Sequence, residues 1–175
     1  MKVRNMARCA LFAALLTVCA WISLPLGDTS FTFQTFGVFL ALGLLGGKWG
    51  SAAILVYLLL GAAGAPVFSG FRGGMGVLLG ATGGYLAGFL FTGLIYWLIT
   101  VLGKESVKVR VFAMISGLLV CYLFGTAWFC FGYLQSGSAM SAGMILMKCV
   151  VPYLLPDAVK LTLATLLTNK LKRFV

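Results

Sequence analysis

Residues 77–102 read VLLGATGGYLAGFLFTGLIYWLITVL, an unbroken apolar run with no Asp, Glu, Lys or Arg. A helix needs about 20 predominantly apolar residues to cross the hydrocarbon of a bilayer, and this run is long enough. Similar segments recur on either side, at 6–26, 34–47, 50–65, 110–134 and 157–172. They are separated by short polar, Gly-rich or Pro-rich stretches such as Gly46-Gly47-Lys48. Residues 143–155 are apolar but too short to cross, and read as a short helix on the outer side. Pro156 is placed for the first turn of the last span, where its missing N–H costs nothing. The expected fold is an all-α integral membrane protein of six transmembrane helices, a single domain over residues 1–175.

Composition supports the same class. Of the 175 residues, 62% are hydrophobic and only 9% charged, with a mean hydropathy of +1.09. A soluble domain carries roughly 25% charged residues, so lipid has to cover most of this surface. The net charge of +10 does not indicate nucleic acid, because the basic residues lie between apolar segments and form no basic face. Histidine is absent, and the five cysteines (Cys9, Cys19, Cys121, Cys130 and Cys149) show no CxxC spacing. That pattern offers neither a zinc site nor a disulfide framework, and the thiols read as small buried apolar groups.

Charge placement orients the chain. With six spans, one set of connecting segments holds Lys2, Arg4, Arg8, Lys48, Lys104, Lys108, Arg110, Lys170, Lys172 and Arg173, ten of the thirteen basic residues. The other set holds Arg72 and Lys148, while Lys160 lies inside the last span. Cytoplasmic loops are enriched in Lys and Arg, so both termini are expected in the cytoplasm. The remaining charges, Asp28, Arg72, Asp157 and Lys160, then fall on the outer side or in the outer half, where topology does not require them.

Asp157 and Lys160 stand three residues apart and share a helix face. Ionisable groups inside a span are costly and face a cavity or one another, so they mark a functional site by default. The plainer alternative is an ion pair that only holds helices together. Arg72 sits in Ser69-Gly70-Phe71-Arg72-Gly73-Gly74-Met75-Gly76, where its planar fork suits a carboxylate or phosphate; a solvated loop arginine or headgroup anchor is the alternative. Gly80, Gly84 and Gly88 form a doubled GxxxG frame, which points to close helix packing in lipid. No ATP-hydrolysis motif is present: Gly46-Gly47-Lys48 is followed by Trp49, not by the Ser or Thr that would touch magnesium. No nucleophile–base pair stands out either, and an Asp28–Asp157 dyad would require the fold to bring those residues together.

Three stretches resemble one family. Phe31-Thr32-Phe33-Gln34-Thr35-Phe36-Gly37-Val38 resembles the FTxQTFGV signature of the BioY family, the biotin-capturing S components of energy-coupling factor transporters. Ala65-Pro66-Val67-Phe68-Ser69-Gly70 with Arg72 to Tyr85 is similar to the family's PVFxGxxGGxGxLxGPTGGY stretch, and Leu155-Pro156-Asp157-Ala158-Val159-Lys160 to its LPGDxxK element. The three keep their order and cover essentially the whole chain. Ala81 replaces the family's proline, which leaves the start of the fourth helix free to run straight. The glycine between Pro156 and Asp157 is missing, which shifts the start of the sixth.

The resemblance implies a non-enzymatic transport subunit in the bacterial cell membrane, without a cofactor or metal of its own. It implies an outward-facing vitamin pocket, a transmembrane coupling subunit and two cytoplasmic ATPases. The family's small-residue motif, which docks the coupling subunit, matches Ala10 and Ala14. Some members are reported to work without dedicated partners. Biotin chemistry fits the outlying charges: Asp157 accepts ureido N–H groups, and Lys160 or Arg72 neutralises the valerate carboxylate. Gln34 and Tyr85 supply further polar contacts, Phe31, Phe36 and Trp128 apolar walls, with Gly73 and Gly84 beside them. Residues 27–33 are the preferred lid. An S component for thiamine or riboflavin, or a membrane enzyme or assembly factor, are the competing readings.

Overall fold

The computed structural model describes residues 2–26, 29–103, 106–135 and 142–172. Its helices are α1 (Lys2–Trp21), α2 (Gln34–Ala62), α3 (Met75–Leu78), α4 (Gly83–Leu102), α5 (Val107–Gln135), α6 (Ala142–Cys149) and α7 (Val151–Leu171). A two-stranded antiparallel hairpin, β1 (Ser23–Leu26) and β2 (Thr29–Thr32), joins α1 to α2, with Ser23 opposite Thr32 and Leu26 opposite Thr29. Among the described residues five stretches are by length and composition apolar enough to cross a bilayer, Val3–Trp21, Gln34–Ala62, Gly83–Leu102, Val107–Gly132 and Gly143–Leu171, the second counted through the break at Gly46 and the last through α6 and α7.

Helix α2 is two arms rather than one rod. Gly46 adopts φ 76°, ψ 175°, a conformation that glycine tolerates because it has no Cβ. The chain reverses there. Gln34 Nε2 consequently donates to Tyr57 Oη over 2.6 Å, although a straight helix would hold these residues about 35 Å apart. The arms, 34–45 and 47–62, match the second and third expected spans, so six long helices alternate in direction. Arms of 12 and 16 residues are about 18 and 24 Å long, shorter than the roughly 30 Å hydrocarbon. The exposed Lys48 follows the reversal.

Close backbone approach holds the bundle together, as expected in lipid, where no hydrophobic drive joins one helix to another. Between α4 and α5, a Cβ at Gly84 would lie 2.3 Å from Trp128 Cβ, one at Gly88 2.7 Å from Cys121 Sγ, and one at Gly117 2.8 Å from Thr92 Cγ2. The contacts run in opposite directions along the two helices. Thr92 Oγ1 also donates to Gly117 O over 2.9 Å, tying the backbones. On the other side of α4, Gly47 meets Trp97 and Gly93 meets Ser51; Gly43 meets Thr168 of α7.

Two expected boundaries are corrected. The fourth span does not run unbroken from residue 77, because helix stops after α3 and restarts at Gly83, leaving Gly80, Ala81 and Thr82 in a turn. Gly83 permits that turn, since a Cβ there would lie 1.7 Å from Leu78 O. The GxxxG frame within α4 therefore contracts to Gly84 and Gly88, and Ala81 straightens no helix. Pro156 does not open the last helix either. Pro152 does so, and Pro156 lies inside α7, still close to the start, where losing one N–H leaves a single carbonyl, that of Pro152, without its helical donor. The last helix thus begins at Val151 rather than 157, and the short outer helix spans Ala142–Cys149 rather than 143–155.

Substituting Gly88→Val should overpack the α4–α5 seam and cost about 1–3 kcal/mol. The comparison is thermal unfolding in detergent against Gly132→Ala on α5, where a Cβ meets nothing within 4 Å and the midpoint should hold.

Candidate functional site

Six helix ends converge at the end of the bundle away from Gly46. Lys160 of α7 donates to the backbone carbonyl of Thr32 on β2 over 2.7 Å, and Trp21 Nε1 at the end of α1 donates to Pro66 O over 2.9 Å. Between these elements lies a cavity of about 320 Å³, lined by residues from β2, α2, the 68–82 segment, α4, α5, α6 and α7. Small-molecule sites run from roughly 300 to 1,000 Å³, so one compact organic ligand fits.

At its polar end Asp157 and Lys160 are 4% and 3% exposed and form an ion pair of 2.8 Å. Removing two charges from water costs several kcal/mol per ion unless further hydrogen bonds complete them. Here they do. Tyr122 of α5 donates to Asp157 Oδ2 over 2.5 Å, and Thr32 O accepts from the ammonium. Lys160 Nζ also lies 4.1 Å from the centroid of the Phe31 ring and 5.9 Å from that of Phe33. The β-hairpin is thereby tied to the buried cation by a backbone acceptor and two aromatic faces.

A second polar cluster begins at Gln34. Its Oε1 accepts from Thr32 Oγ1 at 3.0 Å, its Nε2 donates to Tyr57 Oη, and Tyr57 Oη donates to Val67 O at 3.2 Å. Both arms of α2, β2 and the following segment are joined through this one amide. Arg72 lies at the rim, exposed, with Nε donating to Ser69 O at 3.2 Å. Tyr85 lines the cavity, and its hydroxyl shares a hydrogen with Thr126 Oγ1 over 3.1 Å.

Of the residues expected from sequence, Asp157, Lys160, Arg72, Gln34 and Tyr85 all line this cavity. Phe31, Phe36, Gly73, Gly84 and Trp128 do not. Phe31 covers the ammonium from outside, and Phe36 packs edge-on to Phe33 with 6.3 Å between centroids. Gly73 presses on the backbone of Ala65. Trp128 donates Nε1 to Gly80 O over 3.0 Å and packs on Gly84, so it shapes the wall from behind. Tyr122, Thr82, Phe89, Leu118 and Tyr153, none of them expected in the site from the sequence, also line the cavity. Asp28 lies outside the described residues, as do Gly27, Lys104, Glu105 and Arg173. Among the described residues no group of three His, Cys, Asp or Glu is placed to hold a metal ion.

The profile of the BioY family matches residues 1–175. The chain is 39% identical to the biotin transporter BioY of Thermotoga maritima over 98% of its own length and 97% of that protein. It is 40% identical to a probable biotin transporter BioY of Pyrococcus horikoshii, covering 98% of each. Among solved structures it resembles the S component for biotin from an ECF-type ABC transporter, with TM-score 0.85, 25% identity, and 99% and 93% of the two chains covered. The S component of a bacterial ECF transporter shares the fold at TM-score 0.52 and 15% identity.

Replacing Lys160 by Met strands a buried carboxylate and should cost about 3–5 kcal/mol. Adding Asp157→Asn should restore most of that loss, because a neutral amide no longer needs the cation. Thermal unfolding of the single and double variants in the same detergent decides it.

Proposed function

The chain belongs to the BioY family, and on that premise we propose that it captures biotin in the cavity beneath the β-hairpin, as the S component of an ECF-type transporter. The observation that carries this reading is the buried Asp157–Lys160 pair, which opens onto a compact cavity with apolar flanks and an exposed arginine at its rim. Biotin has the same polarity from end to end: a ureido ring, an apolar thiophane and a valerate carboxylate.

The ureido group lies at the buried end, where Asp157 accepts an N–H. Lys160, with one hydrogen on Asp157 and another on Thr32, balances the charge of that carboxylate. Val77, Leu86, Phe89 and Leu118 flank the thiophane. The carboxylate reaches Arg72. Lys160 is already neutralised by Asp157, whereas the guanidinium of Arg72 is exposed at the mouth and offers a bidentate fork. Gln34 and Tyr85 line the path between. The apolar walls come from these aliphatic and phenyl groups, with Phe31 and Trp128 supporting from behind.

The cavity end faces outward. The opposite end carries Lys2, Arg4, Arg8, Lys48, Lys108, Arg110, Lys170 and Lys172, as the enrichment of Lys and Arg in cytoplasmic segments requires. Both termini are then cytoplasmic and the protein is a multi-pass component of the cell membrane. The β-hairpin, latched to Lys160, is the lid. ATP-driven coupling is the general mode of the family, and the chain carries no nucleotide motif, so hydrolysis falls to two cytoplasmic ATPases acting through a transmembrane coupling subunit. The surface for that subunit is the outward face of α1, where Val3, Met6, Ala10, Leu11 and Ala14 are exposed. The two alanines leave room for a partner helix to approach closely.

Radiolabelled biotin should bind the purified wild-type chain and be displaced by unlabelled biotin but not by thiamine or riboflavin. Asp157→Asn and Lys160→Ala, scored on the folded fraction, should lose that binding; retention by both would sink the assignment. Arg72→Gln should weaken biotin roughly 10- to 100-fold, the worth of one charged hydrogen-bonded contact, and leave biotin methyl ester unaffected.

Ala10→Arg with Ala14→Arg should leave biotin binding intact and abolish co-purification with the coupling subunit, along with uptake into cells. Normal uptake by that double variant would exclude this face.

A further inference from the structure

The arrangement around Asp157 carries one step more, which rests on the biotin reading. Tyr122 belongs to no motif, stands 35 positions from Asp157 in the chain, yet donates its hydroxyl hydrogen to Asp157 Oδ2 over 2.5 Å. It is 8% exposed, and it and Asp157 both line the cavity. A phenol has one hydrogen, which rotates about the C–O bond to suit its partner. An ionised carboxylate only accepts, with about two sites on each oxygen. Lys160 takes a place on Oδ1 and Tyr122 one on Oδ2.

In a five-membered cyclic urea each N–H lies beside the carbonyl, because the ring carbons occupy the other side of each nitrogen. The two N–H groups therefore diverge, and one carboxylate oxygen pair cannot take both. One edge of the ring instead offers a donor next to an acceptor. From ordinary amide bond lengths the nitrogen and oxygen of that edge are about 2.3 Å apart. Tyr122 Oη and Asp157 Oδ2 are hydrogen-bonded neighbours and offer the complementary order, a rotatable donor beside an acceptor.

We propose that Tyr122 is a specificity-determining residue that reads the ureido carbonyl. When biotin enters, the Tyr122 hydroxyl turns its hydrogen from Asp157 Oδ2 to the ureido oxygen, a ureido N–H takes the vacated place on Oδ2, and the two protein oxygens, no longer sharing a hydrogen, draw apart to an ordinary contact. Asp157 receives two donors before and after, and Tyr122 donates once in each state. No covalent bond changes. Lys160 stays on Oδ1 and on Thr32 O throughout, so the hairpin latch and the recognition of the ring use different hydrogens. A ligand presenting a donor where the carbonyl belongs leaves the phenol without an acceptor and sets two donors against each other.

The test compares wild type and Tyr122→Phe against biotin and 2-iminobiotin, in which an imino or amino group replaces the carbonyl oxygen. Biotin affinity should fall roughly 10- to 100-fold in the variant. The preference for biotin over 2-iminobiotin should shrink by at least about tenfold, a selectivity that a merely structural role would leave alone. An unchanged preference overturns the proposal, as does biotin affinity within a factor of two of wild type. Should Tyr122→Phe fail to fold, 3,5-difluorotyrosine at position 122 keeps the question open to measurement. Its hydroxyl is a stronger donor, so the infrared carbonyl band of bound ¹³C-ureido biotin should move to lower frequency than in wild type; a band that does not move overturns the proposal. Failure of wild type to bind biotin at all would instead overturn the functional reading, and this inference with it.

Discussion

An ammonium and a carboxylate held 2.8 Å apart and out of water constrain much of this molecule. Neither is tolerable alone in a low-dielectric interior, and their neighbours are set by that fact. Thr32 offers a backbone carbonyl, which the end of a strand can spare. Tyr122 offers a hydroxyl from α5. Phe31 and Phe33 offer ring faces. The first helix connection, the fifth helix and the last helix are thus joined at one point, and the wall of the cavity is made by the same contacts that make the charges bearable.

The opposite end answers a different need. The arms of α2 are too short to span the hydrocarbon, so the reversal at Gly46 is braced by neighbouring helices, with Gly47 against Trp97, Ser51 against Gly93 and Gly43 against Thr168. Small residues bring backbones close where lipid gives no hydrophobic drive. Arg110 and Asn169, hydrogen-bonded over 2.6 Å, close α5 onto α7 at that end. The bundle is therefore braced at the end where no ligand enters, and the cavity lies at the end closed by the hairpin and connecting segments.

These two regions also explain what was legible in the sequence. Hydropathy and glycine stops give six helices, because a bilayer imposes length and apolarity on any span. Asp157 and Lys160 stand out because charge inside an apolar run has to be explained. Tyr122 does not stand out. A tyrosine in an apolar helix has no signature that separates packing from recognition, and only the packing of α5 on α7 brings it to Asp157. Aromatic residues close to the motifs had the reverse fate: Phe36 and Trp128 looked like walls and turned out to stand behind them. The break before α4 was hidden because residues 77–82 are as apolar as the helix they precede. The two prolines misled for a related reason, since either Pro152 or Pro156 satisfies the rule for a helix start and packing chose the earlier.

The division of roles proposed for Lys160 and Arg72 follows from the same energetics. A cation buried deep enough to organise the hairpin must be neutralised in the empty state, or the empty state would not fold. Once neutralised, it has little net charge left to attract a second carboxylate. The cation that meets the ligand's acid therefore has to lie where water keeps it soluble until the ligand arrives, and the rim is such a place. Selectivity then arises mostly inside. Asp157, Tyr122, Lys160 and Thr32 satisfy one another without a ligand, so an occupant displacing any of these bonds must return each donor and acceptor it takes. A molecule of the right size but the wrong donor order leaves a buried polar group unpaired, and sites of that kind reject analogues far more strongly than apolar fit alone does.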